Sequence, residues 1–240
     1  MKILGIIPSR YASTRFPGKP LVEIQGKSMI QRVYEQAKKA SSLSEVLVAT
    51  DDERISKHVI DFGGKVILTS SSHQSGTDRC AEVINKINDA YDVVINIQGD
   101  EPFINPEQIN QLCACFDNQN TQIATLIKKI TADELFNENK PKVIKSVDDF
   151  AIYFSRHPIP FFRGVEKENW LKENTYYKHI GIYGYTTETL KKITQLPLSL
   201  LEKAEGLEQL RWLENGYKIK VAETNLEANS VDTPEDLKNF

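Results

Sequence analysis

Short apolar runs alternate with helical patterns through the first half of the chain, and this alternation limits the possible folds more than any other feature. The runs cover residues 3–8, 45–50, 65–69 and 92–97. Each is apolar on both faces, which is typical of a parallel strand covered by helices on either side. Apolar residues recur at helical spacing within residues 29–37, 52–62 and 77–87. Gly63-Gly64 predicts the end of the second of these helices. The pattern predicts βαβ units and an α/β sheet.

The second half of the chain is richer in strands. Strand patterns cover residues 123–130, 143–147, 151–155, 179–185 and 219–223. Asp148-Asp149 predicts a hairpin turn between the second and third of these strands. Residues 200–214 predict one helix that ends at Asn215-Gly216, and residues 232–237 predict a helix start with Thr233 as N-cap and Pro234 at the first helical position. Without a linker or a repeat, the chain is expected to form one α/β domain over residues 1–240, with an antiparallel insertion at roughly 140–185.

Composition and charge exclude several classes of protein. The 240 residues are 40% hydrophobic, which is enough for a sizeable core. With 30 Lys and Arg against 33 Asp and Glu, nothing suggests a surface for nucleic acid or an anionic membrane. Three cysteines argue against a disulfide scaffold. No apolar stretch approaches the ~18 residues of a membrane span, and the apolar N-terminus is too short for a signal peptide. We therefore expect a soluble cytoplasmic protein.

The loop after the first predicted strand, residues 8–20 (PSRYASTRFPGKP), is the first candidate site. It lies where α/β folds bind ligands, at the carboxyl end of the sheet. Arg10, Arg15 and Lys19 supply positive charge, and the hydroxyl and glycine residues between them supply hydrogen bonds, a mixture that suits a polyphosphate. The glycine spacing is not that of a Walker A loop. An exposed basic loop without function is the alternative.

Two further segments follow predicted strands. Residues 96–102 (NIQGDEP) place carboxylates just beyond a buried strand, where they could hold Mg²⁺, although the same residues also suit a plain turn. Residues 73–79 (HQSGTDR) open a predicted helix with Ser75 or Thr77 as its cap, so the free N–H groups of that helix could meet a ligand. An ordinary helix N-terminus is the alternative. No dinucleotide-binding glycine fingerprint follows the first strand, which weighs against NAD or FAD.

A fourth group of candidates is scattered over the second half. Arg156 could bind a substrate carboxylate through its planar fork, and His179, Glu208 and Gln209 could form hydrogen bonds with hydroxyl groups. Each of these residues also has an ordinary structural explanation, because most surface polar residues have no function.

Taken together and in this order, the motifs resemble those of the 3-deoxy-manno-octulosonate cytidylyltransferase (CMP-KDO synthetase) family. The resemblance runs nearly end to end, and its most specific part is the conjunction of HQSGT at residues 73–77 with HIGIYGY at residues 179–185. The other supporting motifs are the basic loop, QGDEP at 98–102, YFSR at 153–156, LEQLR at 207–211 and VDTPEDL at 231–237.

This resemblance implies a reaction in which CTP and 3-deoxy-D-manno-octulosonate (KDO) give CMP-KDO and pyrophosphate with Mg²⁺ as cofactor. CMP-KDO would serve lipopolysaccharide biosynthesis in a bacterial cytoplasm. The implied fold is a nucleotide-diphospho-sugar transferase-like three-layer sandwich with a mostly parallel mixed sheet, usually as a homodimer. The insertion at 140–185 would belong to the sugar pocket or the dimer contact.

The resemblance also implies roles for individual residues. Arg10, Arg15, Lys19 and Asp100 would be catalytic, and Asp100 and Asp232 would bind the metal. The residues expected to bind CTP are Pro8, Ser9, Arg10, Arg15, Lys19, His73, Gln74, Ser75, Gly76, Thr77 and Arg79. Those expected to bind KDO are Gln98, Arg156, His179, Tyr183, Glu208 and Gln209.

Three rival functions remain open on the sequence alone. A cytidylyltransferase for another acidic sugar, such as sialic acid or 8-amino-8-deoxy-KDO, would differ only in the sugar pocket. A glycosyltransferase that consumes a nucleotide sugar usually carries an Asp-x-Asp motif, whereas this chain has Gln98-Gly99-Asp100. A non-catalytic nucleotide-binding module would be expected to lack Lys19, Asp100 or Asp232, and all three are present.

Overall fold

The predicted alternation of strands and helices is confirmed in a computed structural model, which describes residues 1–12, 16–227 and 229–239. The strands are β1 (Ile3–Ser9), β2 (Glu23–Ile24), β3 (Lys27–Ser28), β4 (Glu45–Thr50), β5 (Val66–Leu68), β6 (Val93–Asn96), β7 (Ile123–Lys129), β8 (Lys142–Lys145), β9 (Ala151–Ser155), β10 (Tyr177–Thr186) and β11 (Ile219–Glu223). The helices are α1 (Met29–Ala37), α2 (Glu53–Asp61), α3 (Gly76–Lys86), α4 (Pro106–Ala114), α5 (Trp170–Glu173), α6 (Thr187–Ile193), α7 (Leu200–Glu205) and α8 (Gln209–Glu214). The predicted strand ends agree within two residues.

Nine of the described strands form a mixed sheet that is mostly parallel, and β2 and β3 form a separate antiparallel pair. The order of the mixed sheet is β11-β7-β10-β6-β1-β4-β5, and the hairpin of β8 and β9 is attached to β10. Strands β6, β1, β4 and β5 pair in parallel, as do β7 and β11. The long strand β10 runs antiparallel between β6 and β7. It therefore brings the second half of the chain against the first at the centre of the sheet.

Helices cover both faces of this sheet. On one face, α1, α2 and α4 bury residues such as Ile30 and Ile109 against β1, β4 and β6. On the other face, α3 and α6 bury residues such as Val83 and Leu190, and Trp212 of α8 packs edge-on against Tyr183 and Tyr185 of β10. The strands are apolar on both faces because each face meets a helical layer. The three-layer α/β architecture with an antiparallel addition is confirmed.

Local capping explains where several helices begin and end. The side chains of Ser28, Asp52 and Ser75 accept hydrogen bonds from the first turns of α1, α2 and α3. Gly63 adopts a left-handed conformation with φ +80° after α2. The N–H of Gly64 then donates to the carbonyl of Val59 at 2.8 Å. The predicted glycine cap is therefore confirmed, because this geometry satisfies carbonyls that the helix end would leave unpaired.

The prediction of one helix over residues 200–214 is wrong. Gly206 adopts φ +61° and ends α7, and its N–H donates to the carbonyl of Glu202 at 2.7 Å. A left-handed residue cannot continue a right-handed helix, so the chain turns before α8 begins at Gln209. The predicted start at Pro234 is confirmed, but the element is a 3₁₀ helix over Pro234–Asn239. Helix α4 is missing from the sequence-based prediction, although Asn105 and Pro106 are a typical N-cap and first helical residue.

The segment at 140–185 contributes both the β8–β9 hairpin and β10. The predicted turn is confirmed, since Asp149 lies at its tip with φ +59°. A small apolar cluster around Trp170, separate from the two main cores, fills the connection between β9 and β10. None of the helices described is both long and apolar enough to span a bilayer.

Candidate active site

A cavity of about 360 Å³ opens where β1 and β6 end and α3 begins. Three of the predicted segments meet in it: the start of the basic loop, the opening of α3 and the turn after β6. Its lining residues are Pro8, Ser9, Arg10, Lys19, His73, Gln74, Ser75, Gly76, Thr77, Arg79, Asn96, Gln98, Gly99, Asp100, Tyr183 and Glu208. The cavity therefore combines residues predicted for the nucleotide with residues predicted for the sugar.

Some predicted site residues lie elsewhere. Arg15 falls outside the described residues. The predicted residues that do not line the cavity are Arg156, His179, Gln209 and Asp232. Conversely, Asn96 and Gly99 line it although the sequence analysis gave them no role. The available signal for Asn96 was a polar residue that ends an otherwise apolar buried strand.

Lys19 connects the basic loop to the carboxylate after β6. Its ammonium lies 2.8 Å from Oδ2 of Asp100 and donates to the carbonyl of Val231 at 2.8 Å. The N–H of Val231 in turn donates to the carbonyl of Asp100 at 2.9 Å. The C-terminal segment therefore lies beside the turn after β6, and Asp232 follows Val231 directly. Two aspartates 132 positions apart in the sequence thus belong to neighbouring stretches of backbone.

This arrangement has few protein ligands for a metal. No group of three or more His, Cys, Asp or Glu side chains suited to a metal occurs in the described part of the chain. Asp100 and Asp232 provide two carboxylates on adjoining backbone segments. Mg²⁺ commonly takes one or two protein carboxylates and completes its shell with water and substrate phosphates. The residues present therefore fit Mg²⁺ that binds together with a nucleotide.

Close backbone approach explains the glycine in the turn after β6. A Cβ atom at Gly99 would lie 2.8 Å from the carbonyl oxygen of Pro8, which is too close for any side chain. The turn that carries Asp100 can therefore press against the end of β1 only with glycine at this position. Gly76 is similarly confined, because a Cβ atom there would lie 3.2 Å from the ring of Pro8.

Hydrogen bonds at the opening of α3 connect it to neighbouring elements. The hydroxyl of Thr77 donates to the carboxylate of Glu208 at 2.7 Å. Burial raises the pKa of Glu208, while its hydrogen bonds to Thr77 and Ser75 act in the opposite direction. The buried guanidinium of Arg79 donates to the hydroxyl of Thr69 and lies 3.3 Å from the carboxylate of Asp51. Arg79 therefore fixes α3 to the ends of β4 and β5 and also lines the cavity.

His73 is oriented by a carboxylate on the adjoining helix α3. Its Nε2 atom contacts Glu82, which also accepts the N–H of Ser70 at 2.8 Å. Burial alone would raise the pKa of Glu82, but its partners Lys86, Ser70 and His73 hold that pKa at about 2. Glu82 is therefore a carboxylate at neutral pH and fixes the ring of His73 at the cavity wall.

A β-bulge in β10 shapes the side of the cavity that Tyr183 lines. The register between β10 and β7 shifts between Ile180 and Tyr183. The amide of Gln98 donates to the carbonyl of Gly181 at 2.7 Å within this irregular stretch. Thr125 donates its hydroxyl to the carbonyl of Ile182 at 2.7 Å. Bulges redirect side chains, and here the two contacts fix the stretch from which Tyr183 enters the cavity.

His179 lies next to this bulge but does not reach the cavity. Its Nε2 atom is 2.9 Å from the hydroxyl oxygen of Thr125, and its ring packs edge-on against Phe154 at 5.4 Å between centroids. Burial lowers the pKa of His179 to about 3. At neutral pH the ring is uncharged, so it can form hydrogen bonds but cannot neutralise a substrate carboxylate.

The low pKa of His179 predicts a specific pH dependence of stability. An unfolded histidine has a pKa of about 6.5, so below that pH the unfolded chain binds a proton that the folded protein excludes. Stability should fall as the pH drops from about 6.5 towards 3, at a rate that approaches about 1.4 kcal/mol per pH unit from this group. Urea unfolding of the wild type and His179→Gln between pH 5 and 7 tests this. The variant should show a shallower slope, and equal slopes would contradict the assignment.

Arg156 binds backbone carbonyls rather than the cavity. Its guanidinium donates to the carbonyls of Glu205, Glu138 and Gly206 at 2.6, 2.9 and 3.2 Å. The backbone N–H of Arg156 also donates to the carboxylate of Glu205 at 2.8 Å. Arg156 therefore joins the end of β9 to the break between α7 and α8, just before Glu208.

Several buried polar atoms around the cavity have no hydrogen-bond partner among the described residues. They are Oγ of Ser9, Oδ1 of Asn96 and the hydroxyl oxygen of Tyr183, and Nε2 of Gln209 shares this property beyond the cavity lining. Buried polar atoms are nearly always paired, and those left unpaired in a cavity indicate a polar ligand. The cavity is therefore suited to a ligand rich in hydrogen-bonding groups.

Comparisons with known proteins give the family of this chain. The family model described as Cytidylyltransferase matches residues 4–219. A 3-deoxy-manno-octulosonate cytidylyltransferase of Bacteroides thetaiotaomicron is 61% identical over 243 residues, which cover 100% of this chain and 96% of that protein. The enzyme of the same name from Thermodesulfovibrio yellowstonii is 51% identical over 245 residues, which cover 99% of this chain and 96% of that protein.

A solved structure gives the same result in three dimensions. The structure of CMP:2-keto-3-deoxy-manno-octonic acid synthetase complexed with CTP superposes with a TM-score of 0.93 at 43% sequence identity. The match covers 100% of this chain and 96% of that one. With full-length relatives at this level of identity and a matching fold, the chain belongs to the 3-deoxy-manno-octulosonate cytidylyltransferase family.

Proposed function

We propose that this chain transfers CMP from CTP to the anomeric hydroxyl of KDO, which gives CMP-KDO and pyrophosphate and activates the sugar for lipopolysaccharide synthesis. The observation that carries this proposal is the shared cavity in which the basic loop, the opening of α3 and the side chains of Gln98, Tyr183 and Glu208 meet. A transferase needs both substrates side by side, and a cavity lined by both groups of residues provides that arrangement.

The reaction is an in-line displacement at phosphorus. The 2-hydroxyl oxygen of KDO forms a bond to the α-phosphorus of CTP and its proton is lost to water. The bond from that phosphorus to the bridging oxygen breaks, and pyrophosphate leaves with the electron pair. The barrier comes from alignment and from negative charge, so positioning and electrostatic stabilisation supply most of the catalysis. Arg10, Arg15 and Lys19 are proposed to bind the triphosphate and stabilise the leaving pyrophosphate.

Mg²⁺ is the proposed cofactor, with Asp100 and Asp232 as its protein ligands. When bound, the metal would neutralise phosphate charge and lower the pKa of the attacking hydroxyl. Support comes from the backbone hydrogen bond between Val231 and Asp100, which brings the two aspartate-bearing segments together.

The remaining lining residues are assigned to the two substrates. Residues 73–79, together with Pro8 and Ser9, are proposed to bind the cytosine and ribose of CTP. A backbone carbonyl that faces the exocyclic amine of cytosine would favour CTP over UTP, because uracil presents an acceptor there. Gln98, Tyr183 and Glu208 are proposed to bind KDO from within the cavity. Arg156, His179 and Gln209 lie outside its lining and are proposed to bind the part of KDO that extends beyond it.

Replacement of Arg156 tests the sugar side. We expect Arg156→Ala to raise the KM for KDO about tenfold or more and to change the KM for CTP much less. The loss would come from the missing contact with the proposed sugar carboxylate, from two missing hydrogen bonds to Glu205 and Gly206 just before Glu208, and from a third to Glu138. Steady-state kinetics with each substrate varied in turn measure both constants. An increase confined to the KM for CTP would contradict this division of the pocket.

A homodimer in the bacterial cytoplasm is the proposed state of the protein. The β9 residue Ile152 and the connecting residue Phe161 are 59% and 72% exposed, which leaves large apolar side chains on the insertion. Exposed apolar groups of this kind are typical of a contact between subunits. Light scattering of the purified protein tests the dimer, and a monomer at micromolar concentration would contradict it.

Product identification tests the proposed function itself. Purified protein, CTP, KDO and Mg²⁺ should give a product with the mass of CMP-KDO and one pyrophosphate per product. Removal of Mg²⁺ by a chelator should stop the reaction, and added Mg²⁺ should restore it. Products such as CMP and free KDO, from a protein that hydrolyses CTP, would contradict the transfer.

A further inference from the structure

Asn96 is a cavity residue with an unused hydrogen-bond acceptor. It is the last residue of β6 and is 4% exposed, and its Oδ1 atom is buried without a partner among the described residues. Its side chain lines the cavity between the opening of α3 and β10. Burial of an amide oxygen without a hydrogen-bond partner costs free energy. The position of this oxygen at the cavity therefore indicates a ligand that donates a hydrogen bond to it.

The surroundings of Asn96 indicate which end of its amide is left for a ligand. The hydroxyl of Thr77 donates to Glu208 at 2.7 Å, and its oxygen lies 3.5 Å from the hydroxyl of Tyr185. Burial raises the pKa of Tyr185 and the side chain of Asn96 acts in the opposite direction, so this side chain lies beside these two hydroxyl groups. Within the described part of the chain Oδ1 is the buried atom of this amide without a partner, and it is therefore the end left for a ligand.

The position of Asn96 indicates which substrate it meets. Asn96 lies directly opposite Tyr183 in the pairing of β6 with β10, so both side chains are on the same face of the sheet. The hydroxyl of Tyr183 is also buried without a partner in the described part of the chain. The two residues therefore present an acceptor and a hydroxyl next to each other on the side of the cavity assigned to the sugar.

From this geometry we infer that Asn96 is a specificity-determining residue whose carbonyl oxygen accepts a hydrogen bond from a substrate hydroxyl, and that this hydroxyl belongs to the acidic sugar. The inference rests on the proposed function for the identity of the sugar. An amide oxygen cannot bind the phosphates of CTP, which carry no hydrogens to donate at neutral pH. The donors that remain are the exocyclic amine of cytosine and the hydroxyl groups of the ribose and of the sugar, and the pairing of Asn96 with Tyr183 favours a sugar hydroxyl.

The test pairs substitutions of Asn96 with substrates that each lack one hydroxyl. Asn96→Leu removes the acceptor at similar volume and should lower kcat/KM for KDO about tenfold, with the dissociation constant for CTP unchanged within about twofold. With the wild type, one deoxy analogue of KDO should have a kcat/KM about tenfold below that of KDO. With the variant, this analogue and KDO should have the same kcat/KM, because the two changes remove the same hydrogen bond. Replacing CTP by 2′-deoxy-CTP or by 3′-deoxy-CTP should lower kcat/KM by the same factor in the wild type and in the variant.

The outcomes separate this inference from the proposed function. If every deoxy sugar lowers kcat/KM by the same factor in the wild type and in the variant, the role of Asn96 is overturned. If the two proteins differ instead in their response to a deoxyribose analogue of CTP, Asn96 belongs to the nucleotide site and the inference is overturned as well. An inactive wild type would overturn the proposed function as well. Binding of CTP measured by calorimetry shows whether Asn96→Leu is folded. If it is not folded, Asn96→Ala is used in its place in the same comparison.

Discussion

Asp100→Asn is expected to lower kcat about a thousandfold or more while the fold and most of the CTP binding persist. The substitution keeps the shape of the side chain and removes its charge, and metal-assisted charge stabilisation is worth several kcal/mol in reactions of this type. Asp100 is the carboxylate partner of Lys19 and the proposed metal ligand on the turn after β6. Pyrophosphate release at saturating substrates measures kcat, and calorimetry measures CTP binding.

A matched control separates the loss of this carboxylate from the general loss of an acidic residue. Asp61→Asn makes the same chemical change at the exposed end of α2, and its kcat should stay within about twofold of the wild type because surface changes are usually small. Near-normal activity of Asp100→Asn would contradict the assignment of this residue to the metal.

Lys19→Gln is expected to lower kcat/KM for CTP by about a hundredfold to a thousandfold. Loss of one charge-stabilising donor in an active site commonly has an effect of this size. The substitution also removes the hydrogen bond to the carbonyl of Val231, which holds the segment that carries Asp232 beside Asp100. Both consequences act on the transfer step, so the loss should appear in kcat as well as in the KM for CTP.

The control for this variant is Lys27→Gln. Lys27 forms an exposed ion pair with Glu35 at 2.6 Å, and exposed pairs contribute little. Activity of Lys27→Gln should therefore equal that of the wild type within about twofold. Thermal unfolding of both variants shows whether a loss of activity reflects unfolding, and a folded Lys19→Gln with less than a tenfold loss would contradict the role of Lys19.

Local patterns in the sequence were sufficient to predict most of the fold. Runs that are apolar on both faces predicted the parallel strands, because each such strand meets a helix on either side. The break at Gly206 was missed because glycine within an apolar helical pattern is compatible with both a continuous helix and a left-handed turn. Only the contacts of α7 and α8 with the rest of the protein decide between them.

The candidate site was less accessible to sequence reasoning. The basic loop and the opening of α3 follow strands directly, so their meeting at one edge of the sheet is predictable. The pairing of Asp100 with Asp232 is not, because it depends on hydrogen bonds through Val231 and Lys19 that join distant segments. The acceptor of Asn96 is likewise visible only in the structure, where Oδ1 is buried at the cavity without a partner among the described residues.

The central claim is tested most directly by pyrophosphate release from purified protein with Mg²⁺, with CTP and UTP each combined with KDO, 8-amino-8-deoxy-KDO and sialic acid. We predict release with CTP and KDO, and none with UTP or with sialic acid. Pyrophosphate release only with CTP and a sugar other than KDO would support the mechanism but contradict the assignment of the sugar pocket. No release with any pair, from protein shown to be folded and to bind CTP, would contradict the account.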